Sequence, residues 1–170
     1  MTGKGSLNHN SRKFHAKNTD PNRTHWNVEY CNEDIKDVYH ELFDDALKRY
    51  NDKQTRKDRK IDDYYEKIRS GKQEKLFHEV ILQIGDKDNM GSETMEGQLA
   101  AKILDEYMKG FQERNPTLRV FAAHLHLDEA TPHLHIDFIP YVTGSKRGLD
   151  TRVSLKQALS SLGFKGGSRS

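Results

Sequence analysis

The chain has 170 residues, long enough for a real core and read most simply as one domain spanning residues 1–170. Charged residues make up 32%, hydrophobic ones 34%, the mean hydropathy is −0.95 and the net charge only +2, which excludes a uniformly basic nucleic-acid binder but leaves room for local basic faces. A single cysteine excludes an intramolecular disulfide, and no run approaches the roughly 18 apolar residues of a membrane helix or forms the core of a signal peptide, so the segment is expected in the cytoplasm without membrane contact.

The first thirty residues, MTGKGSLNHNSRKFHAKNTDPNRTHWNVEY, read mostly as loop with a short strand at WNVEY. Gly-Lys-Gly-Ser lacks the rest of a phosphate-loop pattern and any preceding strand, which removes that reading. From Asn32 to Asn51, apolar residues recur every three or four positions, predicting an amphipathic helix capped by Asn32 or Asp34. Asp52 to Lys75 alternates acids and bases around Tyr64-Tyr65, as a solvated helix would, although its cations are also suited to a phosphate backbone and its tyrosines to bases. A strand is expected over Leu76–Gly85, with His78 and Glu79 embedded in it, and a second helix over Thr94–Arg114 with Met95, Leu99, Ile103, Leu104, Tyr107, Met108 and Phe111 on one side and Asn115-Pro116 as its stop. Thr143-Gly-Ser-Lys-Arg-Gly is a basic turn, Ser154 caps a short helix to Leu162, and a glycine- and serine-rich tail follows.

The chemistry concentrates between Arg119 and Val142. Two β-branched, apolar runs, RVFAAHLHL and HLHIDFIPYV, flank Asp-Glu-Ala-Thr-Pro, the pattern of a β-hairpin. Alternation places His124 and His126 on one face of the first strand and His133 and His135 on one face of the second. With strands about 4.8 Å apart, three or four imidazoles can meet at one ion. The plainer reading, in which each His-x-His is only a half-exposed pair, leaves several imidazoles crowded without a compensating charge.

HNSR at His9–Arg12, DPNRTHWN at Asp20–Asn27 and HLDEATPHLH at His126–His135 together resemble, in this order, the motifs of the Mob/Pre plasmid mobilisation relaxases of the MobV type, within the HUH endonuclease superfamily named for a His-x-His pair. The resemblance implies an α+β fold, an antiparallel sheet carrying the metal histidines and flanked by helices. It implies a metal-dependent enzyme that nicks and rejoins one DNA strand at a plasmid origin of transfer, on single-stranded or supercoiled DNA, through a covalent 5′-phosphate intermediate. His126, His133 and His135 then match the metal ligands, Glu129 the assisting acid, His9 the nucleophile in place of the commoner tyrosine, and Arg12 a partner gripping the phosphate. Arg23, His25, Lys146 and Arg147 would position DNA. Three imidazoles favour manganese over magnesium. Asp128 is assigned only the shaping of the turn. His124 drops out, about 7 Å from His126 along the strand. The chain departs from the pattern in having almost nothing ahead of HNSR where relatives carry a first strand, and in stopping where relatives continue, so a domain truncated at its C-terminus is expected. A rolling-circle replication initiator and a non-catalytic, metal-stabilised DNA-binding module are the alternatives.

Overall fold

The two β-branched runs of the hairpin become the longest strands of a sheet in a computed structural model that describes residues 2–3, 6–14 and 16–164. In chain order the elements are β1 (Thr2–Gly3), α1 (Leu7–Asn10), β2 (Val28–Asn32), α2 (Ile35–Asp52), α3 (Tyr64–Ser70), β3 (His78–Gln83), α4 (Met95–Lys109), α5 (Phe111–Arg114), β4 (Leu118–His126), β5 (His133–Val142), β6 (Arg152–Val153) and α6 (Leu155–Ser161). The strands are ordered β1-β3-β5-β4-β2, with β6 on the end of β5. Lys4 and Gly5 of the discarded phosphate-loop reading, and the tail from residue 165, lie outside the described residues. Among the described residues no helix is long and apolar enough to cross a membrane.

The chain forms two compact units, one of Met1–Asn32, His78–Arg114 and Val120–Phe138, the other of Glu33–Phe77, Asn115–Arg119 and Ile139–Ser170. In the first, β3 pairs antiparallel with β5, setting Glu79 opposite Asp137 and Ile81 opposite His135. The edge beside β3, for which the sequence offered no strand, is filled by Thr2–Gly3. Leu125, Leu134 and Ile136 are buried on the face opposite the histidines, as alternation requires. On the other edge β2 pairs with β4, and an irregularity between Glu29 and Cys31 leaves Glu29 opposite His124.

The helix expected over Thr94–Arg114 is broken at Gly110 and turned differently than its pattern predicts. Thr94 caps α4 by accepting from the Gly97 amide, but the buried residues are Gly97, Ala100, Leu104 and Met108. Met95, Leu99, Ile103 and Tyr107 stand exposed, Met95 at 84%. The reason is steric. A Cβ at Gly97 would collide with the Gly91 carbonyl, so the small residues, not the large ones, set which side packs.

In the second unit α2 begins two to three residues later than its pattern suggests, capped by Asp34, and buries Val38, Tyr39, Phe43 and Ala46. The charged run after it is no continuous helix. Asn51 pairs both ways with the Ile61 backbone, at 2.8 and 2.9 Å, turning the chain so that Ile61 is buried. Only α3 is then helical, and Tyr64 leaves the surface: it packs its ring 5.0 Å from Phe43, and its hydroxyl accepts from the Val153 amide. Ser154 caps α6 as expected.

Candidate metal centre and nucleophile

His126 ends β4 and His133 and His135 open β5, so the short turn between the strands brings all three rings together in the first unit. Their centroids lie 4.8–5.2 Å apart, and one nitrogen of each lies within 4.8 Å of the others. Each ring has one nitrogen committed to an oxygen. His126 Nε2 is 2.8 Å from the Asn10 carbonyl, His133 Nδ1 is 2.9 Å from the Thr131 carbonyl, and His135 Nδ1 is 2.7 Å from Glu79 Oε1. These oxygens can only accept, so each neutral ring keeps its lone pair on the other nitrogen.

Two of those nitrogens, His126 Nδ1 and His135 Nε2, are buried with no hydrogen-bond partner among the described residues. Burying such a group without a partner is costly, and a cation is the partner an imidazole lone pair takes. Burial first, then the nearby Arg12 charge, drives the His126 pKa down to about 3, keeping it in the neutral form a metal ligand needs. The residues present therefore fit a divalent ion held by His126, His133 and His135.

His9 reaches this cluster from α1, whose Ser6 cap accepts from the His9 amide. His9, His126 and Glu129 form a second group with ligand atoms within 4.8 Å of one another. His9 Nε2 lies 3.2 Å from Arg12 Nη1 and 3.4 Å from Glu129 Oε1. Since a guanidinium can only donate, Nε2 faces it with a lone pair. Desolvation and the Arg12 charge lower the His9 pKa below the usual 6.5, with Glu129 opposing them. The ring is thus held neutral with a cation and a carboxylate on its Nε2 side. Burial would raise the Glu129 pKa, but His133 and Arg12 more than offset this and hold it at about 2.

Asp128 does more than shape the turn. It is fully buried and receives Arg12 Nε at 2.9 Å and Nη2 at 2.5 Å, together with the Thr24 hydroxyl at 3.1 Å. Burial would raise its pKa, yet Arg12, Asn27 and Thr24 pull it down to about 2. Arg12 Nη2 also reaches Glu129 at 2.9 Å, so the fork that the resemblance gives to a DNA phosphate is in the structure wrapped around two carboxylates, with the side chain 8% exposed. Its backbone takes φ +52°, a left-handed turn unusual for a non-glycine residue, which ends α1 and folds the guanidinium back under His9.

The DPNRTHWN segment braces the same turn. The Asp20 amide donates to the Asp128 carbonyl at 2.7 Å, Asn27 Oδ1 accepts from the Leu127 and Asp128 amides, and Arg23 donates to the Leu127 carbonyl at 3.3 Å and to Asp20 at 3.1 Å. Arg23 is a brace here, while His25 is exposed beside Trp26. Lys146 and Arg147 are exposed in a loop of the second unit. His124 stays outside both ligand groups, its Nε2 3.1 Å from Glu29.

Sequence reasoning gave no role to Asn10, Asn18, Glu79 or Asp137. Asn18 Nδ2 donates to Glu129 Oε2 at 2.7 Å. Asn10 is 2% exposed, and its Nδ2 donates to Glu79 Oε1 at 2.8 Å and Asp137 Oδ2 at 3.2 Å while its carbonyl meets His126. Burial and the Glu79 charge push the Asp137 pKa up to about 7, whereas Glu79 stays ionised because His135 and Asn10 outweigh its own burial. The available signal was a glutamate directly ahead of the apolar run Val80-Ile81-Leu82 in the strand HEVILQ. Glu79→Gln should weaken divalent-metal binding roughly 10- to 100-fold by loosening the His135 tautomer, as measured by calorimetry; an unchanged isotherm would contradict that role.

A family model described as plasmid recombination enzyme, Mob_Pre, matches residues 4–162. The chain is similar to two crystal structures described as the MobM relaxase domain (MOBV; Mob_Pre), Mn-bound and bound to 22-nucleotide plasmid pMV158 oriT DNA. The one at pH 5.5 is 26% identical with a TM-score of 0.48, over 94% of this chain and 79% of that one. The one at pH 4.6 is 25% identical with a TM-score of 0.48, over 89% and 67%. Among curated proteins none matches significantly. With the three motifs gathered in the first unit and the family match running through all of them, the chain belongs to the Mob_Pre family of plasmid recombination enzymes.

Proposed function

We propose that the chain nicks and rejoins one DNA strand at a plasmid origin of transfer, with His9 as the attacking group. The observation that carries this is the placement of a neutral, partly buried imidazole within 4.8 Å of a metal-ligand histidine and an ionised carboxylate. Family membership supplies the DNA substrate class, and the relatives bound to oriT DNA suggest an origin of transfer. His126, His133 and His135 would hold a divalent ion, and three imidazole donors favour manganese over magnesium. Such an ion, when bound, withdraws electron density from the scissile phosphate and offsets the charge that develops on it.

The protein's own groups account for the rest. A His9 ring nitrogen donates its lone pair to phosphorus, the N–P bond forms, and the P–O3′ bond breaks with its electron pair leaving on the 3′ oxygen, which takes a proton from water. The 5′ phosphate stays on the histidine. As the ring becomes cationic, the Glu129 carboxylate 3.4 Å away stabilises the positive charge, and Asn18, Arg12 and Asp128 keep Glu129 in place. Rejoining reverses these steps when a 3′ hydroxyl attacks the phosphoramidate.

Incubation with a single-stranded origin oligonucleotide and manganese should give a slow-migrating protein–DNA adduct on a denaturing gel; no adduct on any origin sequence with either metal would overturn the reading. The pH profile should follow His9. A lowered pKa leaves the imidazole neutral above it, so adduct formation should persist below pH 6.5, where a free imidazole is already mostly protonated, and fail only at lower pH.

A further inference from the structure

The second unit contains a cavity of about 730 Å³ to which the chemistry at His9 assigns nothing. Its floor is aromatic and aliphatic, with Tyr50 of α2 half-buried and Ile61, Tyr64, Leu149 and Val153 buried beneath it. Four cations line it, Lys67, Lys72, Arg147 and Arg152, against one carboxylate, Glu74. Arg152 is pre-positioned by Ser145 Oγ and Gln157 Oε1, each at 2.9 Å. Among the described residues Lys67, Lys72 and Arg147 have no acidic partner, although acids are plentiful in this sequence. The loop that supplies Arg147 also borders two further cavities, of about 530 and 450 Å³, and Lys146 lines both.

Cations without partners around an apolar, tyrosine-bearing floor suit a ligand that is both a repeating anion and a carrier of flat apolar faces. Inorganic phosphate has no use for the floor, and a duplex keeps its bases stacked inside. We propose that this cavity is a subsite for single-stranded DNA, in which an unstacked base rests against Tyr50 and the aliphatic floor while flanking phosphates meet Lys67, Lys72, Arg147 and Arg152. The volume lies within the usual range for a small-ligand pocket and is ample for one nucleotide. The inference rests on the reading of this chain as an enzyme acting on DNA.

The test is fluorescence anisotropy of a labelled single-stranded oligonucleotide with the full chain across a salt series. The triple variant Lys67→Gln, Lys72→Gln, Arg147→Gln should bind at least about tenfold more weakly near 0.15 M salt, and its log–log salt slope should be shallower by about 2, at roughly 0.7 for each phosphate no longer neutralised. Tyr50→Ala should weaken binding about fivefold or more, with Tyr50→Phe restoring it, because stacking needs the ring and not the hydroxyl. Unchanged affinity and slope in the triple variant would overturn the subsite, as would a polyglutamate peptide that binds through the same cations as tightly as the oligonucleotide. If the wild type binds DNA in this cation-dependent way but never forms an adduct, the nicking reading fails and the subsite stands.

Discussion

His9→Ala should abolish the covalent protein–DNA adduct, by roughly 10⁴-fold or more, the scale on which losing a nucleophile acts, while manganese binding measured by calorimetry is retained. The separation follows from geometry. His9 sits in the group with His126 and Glu129, whereas the three rings that fit an ion are His126, His133 and His135, held by oxygens of Asn10, Thr131 and Glu79. The substitution removes the attacking nitrogen and keeps the Asn10 carbonyl. Adduct that survives His9→Ala but disappears on changing a tyrosine would overturn the assignment. The first unit offers little competition here: Tyr30 donates its hydroxyl to Asp105 at 2.7 Å, and burial with that carboxylate pushes its pKa upward, while Tyr107 lies on α4 against Arg114.

His135→Ala should produce the opposite pattern, losing metal binding outright and adduct formation with it. The loss should exceed the roughly 10- to 100-fold expected of Glu79→Gln, since a ligand is removed instead of its support. His126→Ala and His133→Ala should behave alike, with circular dichroism checking that each variant folds. An isotherm unchanged by any one of the three would remove that residue from the ligand set. His124→Ala is the internal control. Its ring is buried at the start of the same histidine run but faces Glu29, so manganese binding should be unaffected.

What could be read from sequence follows the range of the interactions involved. Strands β4 and β5 have a period-2, β-branched pattern that is local, so their ends fall within a residue of expectation, and the facing of His126, His133 and His135 comes from the same alternation. The caps at Asp34 and Ser154 are equally local. Helix α4 misled because its period is right but its facing is set by close packing at Gly97, which no hydrophobic pattern records. The charged run after α2 looked helical because its turn depends on Asn51 reaching Ile61, and Tyr64 was read as a surface ring because its partner Val153 is 89 residues away.

The same distinction divides the site. Motif spacing singled out His9, His126, Glu129, His133 and His135, which the fold brings together in one unit. It could not reveal the brace beneath them, in which Asn10 reaches Glu79 and Asp137 across 69 and 127 positions and Arg12 reaches Asp128 across 116. Those hydrogen bonds change how two residues are understood: Asp128 is a buried anchor and Arg12 the link that holds Glu129 beside His9.

The most direct measurement is the chemical stability of the wild-type adduct, formed with manganese on an origin oligonucleotide and then exposed to mild acid before the denaturing gel. A phosphoramidate on His9 should release its DNA in acid and stay intact in alkali. An adduct that survives the acid, as a phosphotyrosine would, contradicts the account.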